Sequence, residues 1–324
     1  MNFCLARLIY GAQIMSNNIP AVTICCIAFK HENYIRECLD GFIMQKTDFP
    51  FEVIVHDDAS PDKTADIIRE YEEKYPDIIK PIYQTENQYS RGVNPLWSHV
   101  LPQARGKYLA ICEGDDFWCD PNKLQMQYDF MEANPDYSLC MHGRYILDSF
   151  KKQYIPDPII KKFPEDGKTF AHRTACGEYF FFTQTMFIRK SCFDSKFNDV
   201  LRDSANAPMS DLQVAFHMAL VGNIKYLPQR MAVYRRAPGS ATNNDKGVRK
   251  EFNKKADDAV VNMLNNSGFP HWIADRRKRR KKERFCNLCL LPLRILDAIA
   301  DKLSLTPRKI KARKAYKSYA ENKG

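Results

Sequence analysis

Glu113, Asp115 and Asp116 follow directly on the apolar run Tyr108-Leu109-Ala110-Ile111-Cys112, with Asp120 close behind. The run has the length and composition of a buried strand. Carboxylates gathered at its end repel one another and raise each other's pKa unless a cation lies between them. The chain carries a formal net charge of +10, so this acid is not the general bias of the sequence. A divalent metal is the first candidate for the missing partner; a solvated acidic turn before the helix that Pro121 opens is the plainer alternative. A second acidic pair, Asp57-Asp58, ends the apolar run Phe51 to Val55, where Asp58 could equally cap the next helix. Ser210-Asp211 opens a helical pattern, where an acid also suits the dipole.

The elements that must position these acids alternate in type. Strands are expected at Ala21–Ala28, 51–55, Ile78–Tyr83, 108–112 and Ser138–Met141. Helical spacing follows from His31 to Phe42, from Ser60-Pro61-Asp62 to about Tyr75, from Pro95 to Ala104 and after Pro121. Residues 150–175 read as a polar, mobile connection. A strand at Phe180–Ile188, a helix from Ser210 to Gly222 and strands near Ile224–Leu227 and Met231–Tyr234 complete the pattern. Repeated β-α units imply an α/β fold with a mostly parallel central sheet flanked by helices. Ligands bind such sheets beyond the carboxyl ends of the strands, where both acidic clusters stand. No GxGxxG or P-loop accompanies these strands, which argues against a dinucleotide or ATP-loop site.

At 324 residues, 44% hydrophobic and 27% charged, the chain can bury a sizeable core. Eleven cysteines without scaffold spacing point to core packing in a reducing cytoplasm. Cys286 and Cys289 form a lone CxxC, too few ligands for zinc. Residues 1–19 read as a leader with Met15 as the natural start, and no apolar run is long enough to span a bilayer. Much of the excess positive charge lies in Arg276–Lys282 and between Arg308 and Lys317. The first of these runs precedes an apolar segment carrying Phe285, Leu288, Leu290, Leu291 and Ile295, and reads as a basic amphipathic helical tail. It suits a membrane interface, peripheral at the inner face of the cell membrane, or else packs on the domain. No recognition motif accompanies the charge, so no nucleic acid is expected as a partner.

Several motifs in order resemble family 2 glycosyltransferases. Asp57-Asp58-Ala59-Ser60-Pro61-Asp62-Lys63-Thr64 resembles the family's "DD-x-S-x-D-x-T" segment. Glu113-Gly114-Asp115-Asp116, with Trp118, Asp120-Pro121 and Lys123-Leu124, resembles its DxD-type motif and the following helix. Ala28 to Ile35 is similar to its first strand-loop segment, "TYNHEKYI". Ser210-Asp211 resembles its late acidic motif and Tyr234-Arg235 its closing "YR" strand. The resemblance covers about residues 20–245. It implies a GT-A domain over 20–250, followed by the extension 251–324. It also implies an inverting, hexosyltransferase-type reaction from a nucleoside-diphosphate sugar, UDP favoured, to a glycan or lipid-linked acceptor in surface polysaccharide biosynthesis.

Carried over residue by residue, Asp115 is expected to ligate Mn2+ or Mg2+, with Glu113 on the ribose or a metal-bound water and Asp116 orienting either. Asp57 and Asp58 would read base and ribose, without a decision between them, and Ala28 and Lys30 would line the nucleotide. Asp211 matches the general base. The sequence departs from the family at Ala237, where members often carry a histidine. Arg235 or Arg236 is then expected on the diphosphate. His142 and His217 read as structural. A sugar-phosphate nucleotidyltransferase would need a Gly-rich loop after the first strand, which is missing. A non-catalytic nucleotide- or glycan-binding relative is favoured only by the absent histidine.

Overall fold

The computed structural model describes residues 19–149, 152–178, 181–193, 197, 210–236 and 246–281. Most of the leader with Met15, Ala237, Cys286 and Cys289, and the tail beyond residue 281 lie outside them. The chain forms two compact units, 1–272 and 273–324. The described part of the second, 273–281, is helical.

β-Branched and apolar residues buried on both faces make Val22–Ala28 (β1), Phe51–Asp57 (β2) and Tyr108–Glu113 (β4) central strands. With Ile79–Tyr83 (β3) they lie parallel in the order β3-β2-β1-β4. The crossovers carry helices Ile35–Ile43 (α1) and Thr64–Lys74 (α2). In α1, Ile35, Cys38, Leu39 and Phe42 repeat at helical spacing and are fully buried against the sheet. Gly41 lets this helix meet Phe117–Trp118 (β5): a Cβ there would stand 2.8 Å from the Trp118 carbonyl oxygen.

Beyond β4 the sheet continues through Phe187–Arg189 (β8), Tyr137–Asp148 (β6), Asn223–Arg236 (β9) and β5, with Gln153–Pro156 (β7) beside β6. Here antiparallel pairs join the parallel pair β6-β9, so the sheet is parallel in its first half and mixed in its second. Helices Lys123–Ala133 (α3), Gly167–Ala175 (α4), Ser210–Val221 (α5) and Lys246–Asn266 (α6) complete the first unit. The unit therefore runs past residue 250 and includes α6.

Some expected elements differ. The Pro95–Ala104 helix is a π-turn, Leu96–Val100, followed by a 3-10 turn, Leu101–Gln103. Pro102 has no N–H to continue the ladder. The connection at 150–175 is partly ordered as β7 and α4, the latter capped by Asp166 accepting from Thr169 N–H at 2.7 Å. The two short strands after α5 are one strand, bulged at Pro228 and Gln229 opposite His142–Gly143. The Phe180–Ile188 strand shortens to β8 behind a 3-10 turn at Thr183–Thr185. All the cysteines among the described residues are free, and most are buried.

Candidate active site

Strand register sets the site. In β2-β1-β4, Ala28 pairs with Asp57 and Ile27 with Glu113, so the two acidic segments end level on either side of β1. Two strand spacings put their backbones roughly 10 Å apart.

The loop after β1 is clasped to the loop after β2 by the small polar residues of the 57–64 segment. Lys30 N–H donates to Ser60 Oγ (3.0 Å), His31 N–H to Thr64 Oγ1 (2.8 Å) and Glu32 N–H to Asp62 Oδ2 (3.3 Å). Lys63 N–H returns a bond to Glu32 Oε2 at 3.2 Å, and Asp62 Oδ1 accepts from Thr64 N–H at the start of α2. Lys30 and Ala59 both adopt left-handed backbone at φ 58°, a conformation that costs energy outside glycine and here turns each loop back.

The first acidic pair divides its work. Asp58 Oδ1 accepts from Gln88 N–H (2.7 Å) and Oδ2 from Tyr89 N–H (3.0 Å), fixing the segment after β3. Its own N–H donates to the Ala28 carbonyl at 3.0 Å. Asp57 Oδ2 accepts from Ser60 N–H (3.2 Å), while its buried Oδ1 has no partner among the described residues. Burial pushes the Asp57 carboxyl up, against the pull of the Ser60 bonds. Ala28 is sealed beneath this pair, and the exposed Lys30 ammonium lies 5.0 Å from the Phe29 ring centroid.

The second cluster has carboxylate oxygens of Glu113, Asp115 and Asp116 within 4.8 Å of one another. Glu113 is exposed at the end of β4, yet neighbouring protein, then the charges of Asp115 and Asp211, push its carboxyl up to about 8. Burial and the charges of Asp115 and Glu113 raise Asp116 well above its usual range, with the Arg235 N–H and Arg144 opposing. An all-oxygen set in which Asp115 adds its charge beside two raised carboxyls, Glu113 and Asp116, fits a hard divalent cation such as Mg2+ or Mn2+. Asp211, on the first turn of α5, is within electrostatic reach of Glu113; burial raises its carboxyl, and Oδ1 accepts from Leu212 N–H at 2.9 Å.

Arg235 is placed otherwise than expected. Its N–H donates to Asp116 Oδ1 (2.7 Å), its Nε to the Asp115 carbonyl (2.9 Å), and its guanidinium pairs with Glu37 between the rings of Tyr34 and Phe117. It is 8% exposed. The guanidinium and the backbone N–H together brace the acidic turn. Lys123 of the same motif is fully buried, 3.8 Å from the Trp118 ring centroid and bonded to Gln127 Oε1 (2.7 Å); burial brings its ammonium down to about 7. His142 and His217 are buried too, each with a ring nitrogen on a backbone carbonyl, of Gly143 (2.7 Å) and Cys192 (2.9 Å).

Three residues had no local signal. Glu37 is an ordinary helix position until β9 comes up behind it. Arg144, bound to Asp157 at 2.8 Å and lying over Phe182 and Tyr234, supplies positive charge toward Asp116. Gly114 gives the acidic turn room: a Cβ there would stand 2.8 Å from His31 Nδ1 and 2.9 Å from Ile35 Cδ1.

The family model for glycosyl transferase family 2 matches residues 23–195, more than half of the chain and both acidic clusters. The chain belongs to glycosyl transferase family 2. An uncharacterized protein of Mycobacterium tuberculosis is 36% identical to this glycosyltransferase over 217 residues, 66% of this chain and 58% of the relative. An uncharacterized glycosyltransferase of Methanocaldococcus jannaschii is 31% identical over 156 residues, 47% of this chain and 51% of that one. The chain thus spans less than two thirds of the length of these relatives. Among solved structures, S. aureus TarS 1–349 in complex with UDP-GlcNAc superposes with a TM-score of 0.56 at 18% identity, covering 90% of this chain and 83% of that one. The glycosyltransferase therefore has a GT-A-like α/β fold. No helix among its described residues is long and apolar enough to cross a membrane.

Proposed function

We propose that this glycosyltransferase takes a sugar from a nucleoside-diphosphate donor, UDP favoured, and passes it with inversion to a glycan or lipid-linked acceptor in surface polysaccharide biosynthesis. The observation that carries the reading is the level alignment of two unlike acid sites across β1. One presents a buried carboxylate oxygen, Asp57 Oδ1, unpartnered among the described residues. The other presents three carboxylates that call for a cation. A separation of roughly 10 Å between their backbones suits a ligand with a polar ring at one end and a diphosphate at the other.

In this reading Asp57 accepts a hydrogen bond from the nucleoside, and Asp58 holds the neighbouring loop instead. Asp115 is the chief ligand of a divalent cation, with Glu113 beside it and Asp116 anchored by the Arg235 amide. Such a cation, when bound, supplies charge neutralisation for the departing diphosphate. Ala28, itself sealed, forms the floor under the nucleotide site through its strand end, and Lys30 stands at the edge of that site. Asp211 takes the proton of the attacking acceptor hydroxyl. Its burial raises its carboxyl toward the range a general base needs, and its place on α5 keeps it near Glu113. Attack from the side opposite the leaving group needs no covalent sugar-enzyme intermediate, which agrees with described cysteines that are largely buried in the core. The same reading keeps the enzyme in the cytoplasm, peripheral at the inner membrane face through its basic tail.

Calorimetric titration with UDP, GDP, CDP, ADP and dTDP, with and without Mn2+, tests the donor site. Metal-dependent binding of one diphosphate, lost in Asp115→Ala, is expected. Failure of the wild type to bind any of them would overturn the reading.

A further inference from the structure

We infer that His31 is a phosphate-binding residue of the donor site, presenting an imidazole N–H to a phosphate oxygen of the bound nucleotide from between the two acidic clusters. The inference rests on the donor reading above and adds to it a residue and the part of the ligand that residue meets.

The backbone of His31 is fixed on both sides. Its N–H donates to Thr64 Oγ1 at 2.8 Å, and its carbonyl accepts from Tyr34 N–H (2.9 Å) and Ile35 N–H (2.8 Å), where α1 begins. The residues either side are tied to Ser60 and Asp62. The ring therefore projects from a loop that cannot swing away. It sits edge-on to Tyr34, with ring centroids 6.4 Å apart.

Neither ring nitrogen of His31 has a hydrogen-bond partner among the described residues, and Nδ1 is buried. A point one Cβ bond above Gly114 lies 2.8 Å from Nδ1, 2.9 Å from Ile35 Cδ1 and 3.2 Å from Ala28 Cβ. Nδ1 thus faces an apolar spot against the acidic turn, and Nε2 is the nitrogen left for a ligand. A neutral imidazole has one donor and one acceptor nitrogen. In the tautomer this role requires, Nδ1 is the acceptor and Nε2 carries the proton. Nε2, unlike Nδ1, is not sealed from the surface, so a ligand can reach it.

Position decides which ligand atom that is. The charges of Asp57, Asp62 and Asp115 all reach His31, so the ring lies between the nucleoside-reading carboxylate and the cation-holding turn. In a nucleoside diphosphate laid between them, the group at that place is the phosphate next to the ribose. Gly114 and His31 form a matched pair: the ring occupies the space that any larger residue at 114 would need.

The test uses the full chain with Mn2+ and the diphosphate that the wild type binds best of the five above, followed by calorimetry. The matching free nucleoside is followed by ligand NMR. His31→Phe should weaken the diphosphate about 10- to 100-fold, as expected for one hydrogen bond to a charged group, and leave the nucleoside unchanged. His31→Gln, whose amide N–H reaches about as far as Nε2, should recover part of the loss with a melting temperature like that of His31→Phe. Equal diphosphate affinity in His31→Phe would overturn the inference. So would a loss shared by nucleoside and diphosphate that follows a lowered melting temperature in both variants. Wild-type binding that Asp115→Ala abolishes keeps the donor reading standing whatever His31→Phe does. No wild-type binding at all sinks both.

Discussion

Asp58 and Asp116 are almost equally sealed from solvent, 1% and 2% exposed, and stand beyond β2 and β4 on either side of β1. Their surroundings differ. Asp58 has a backbone amide on each carboxylate oxygen, from Gln88 and Tyr89. Asp116 has one, from Arg235, and faces the charges of Asp115 and Glu113. Amides can hold a buried carboxylate ionised at little cost. Three acids facing one another cannot all stay ionised without a cation. Burial of a carboxylate therefore does not mark a ligand site; charge left uncompensated by the protein does.

The largest expected break in this comparison comes from Asp115→Ala. Donor turnover should fall on the order of 10³-fold or more, since several kcal/mol of leaving-group stabilisation go with the cation. Metal-dependent nucleotide binding should vanish with it. Near-normal turnover in this variant would mean that the second cluster is as architectural as Asp58. Next is Asp211→Asn: kcat should drop about 10²- to 10⁴-fold with donor affinity unchanged, as read from steady-state kinetics against direct binding. A matching loss of affinity would instead place Asp211 on the donor.

The third separates the members of the first pair. Asp58→Ala removes two bonds to a charged acceptor, and urea unfolding should show a loss of about 3–5 kcal/mol. Asp57→Asn should leave stability level or slightly improved, because burial already disfavours the Asp57 charge, and should weaken nucleoside binding. Equal destabilisation by both would erase the distinction between them.

The smallest effect is on protons. Glu113 and Asp116 have folded-state values raised above those of the unfolded chain, Glu113 to about 8. Between the ordinary carboxylate range and that value the folded apo protein binds more protons than the unfolded one. Its stability should therefore fall as pH rises from 5 to 8, and Mn2+ should offset the fall. Cation binding near pH 7 should release about one proton, visible as a dependence of the calorimetric enthalpy on the buffer. A buffer-independent enthalpy would mean that the cluster is already ionised.

The parallel half of the fold was legible because its signals are local. Strands buried on both faces read as apolar runs, and the acids stand directly at their ends. The 57–64 segment was legible as a motif, although its clasping of the first loop is a matter of geometry. The second half was less so: Pro102 broke one expected helix, and a bulge at Pro228 disguised one strand as two. What distinguishes Asp58 from Asp57 is a pair of amides thirty residues away, at Gln88 and Tyr89, which no local pattern announces. A guanidinium suits phosphate by its chemistry alone, whereas the bonds of Arg235 to Glu37 and the Asp115 carbonyl depend on tertiary placement. No periodicity announces such a contact.

The Arg235 brace also bears on the order in which the molecule matures. Arg235 lies 119 positions after Asp116, 120 after Asp115 and 198 after Glu37. Contacts of such long separation form late. A growing chain adds about 5–20 residues per second, so the acidic turn emerges roughly ten seconds before the strand that shapes it. Through that interval the nascent polypeptide has its acids but not their arrangement, a loose chelator with no preferred ion. A chain truncated after residue 195 would keep every residue that the family model matches and still lack the brace, the α5 carboxylate and, with them, an assembled catalytic centre.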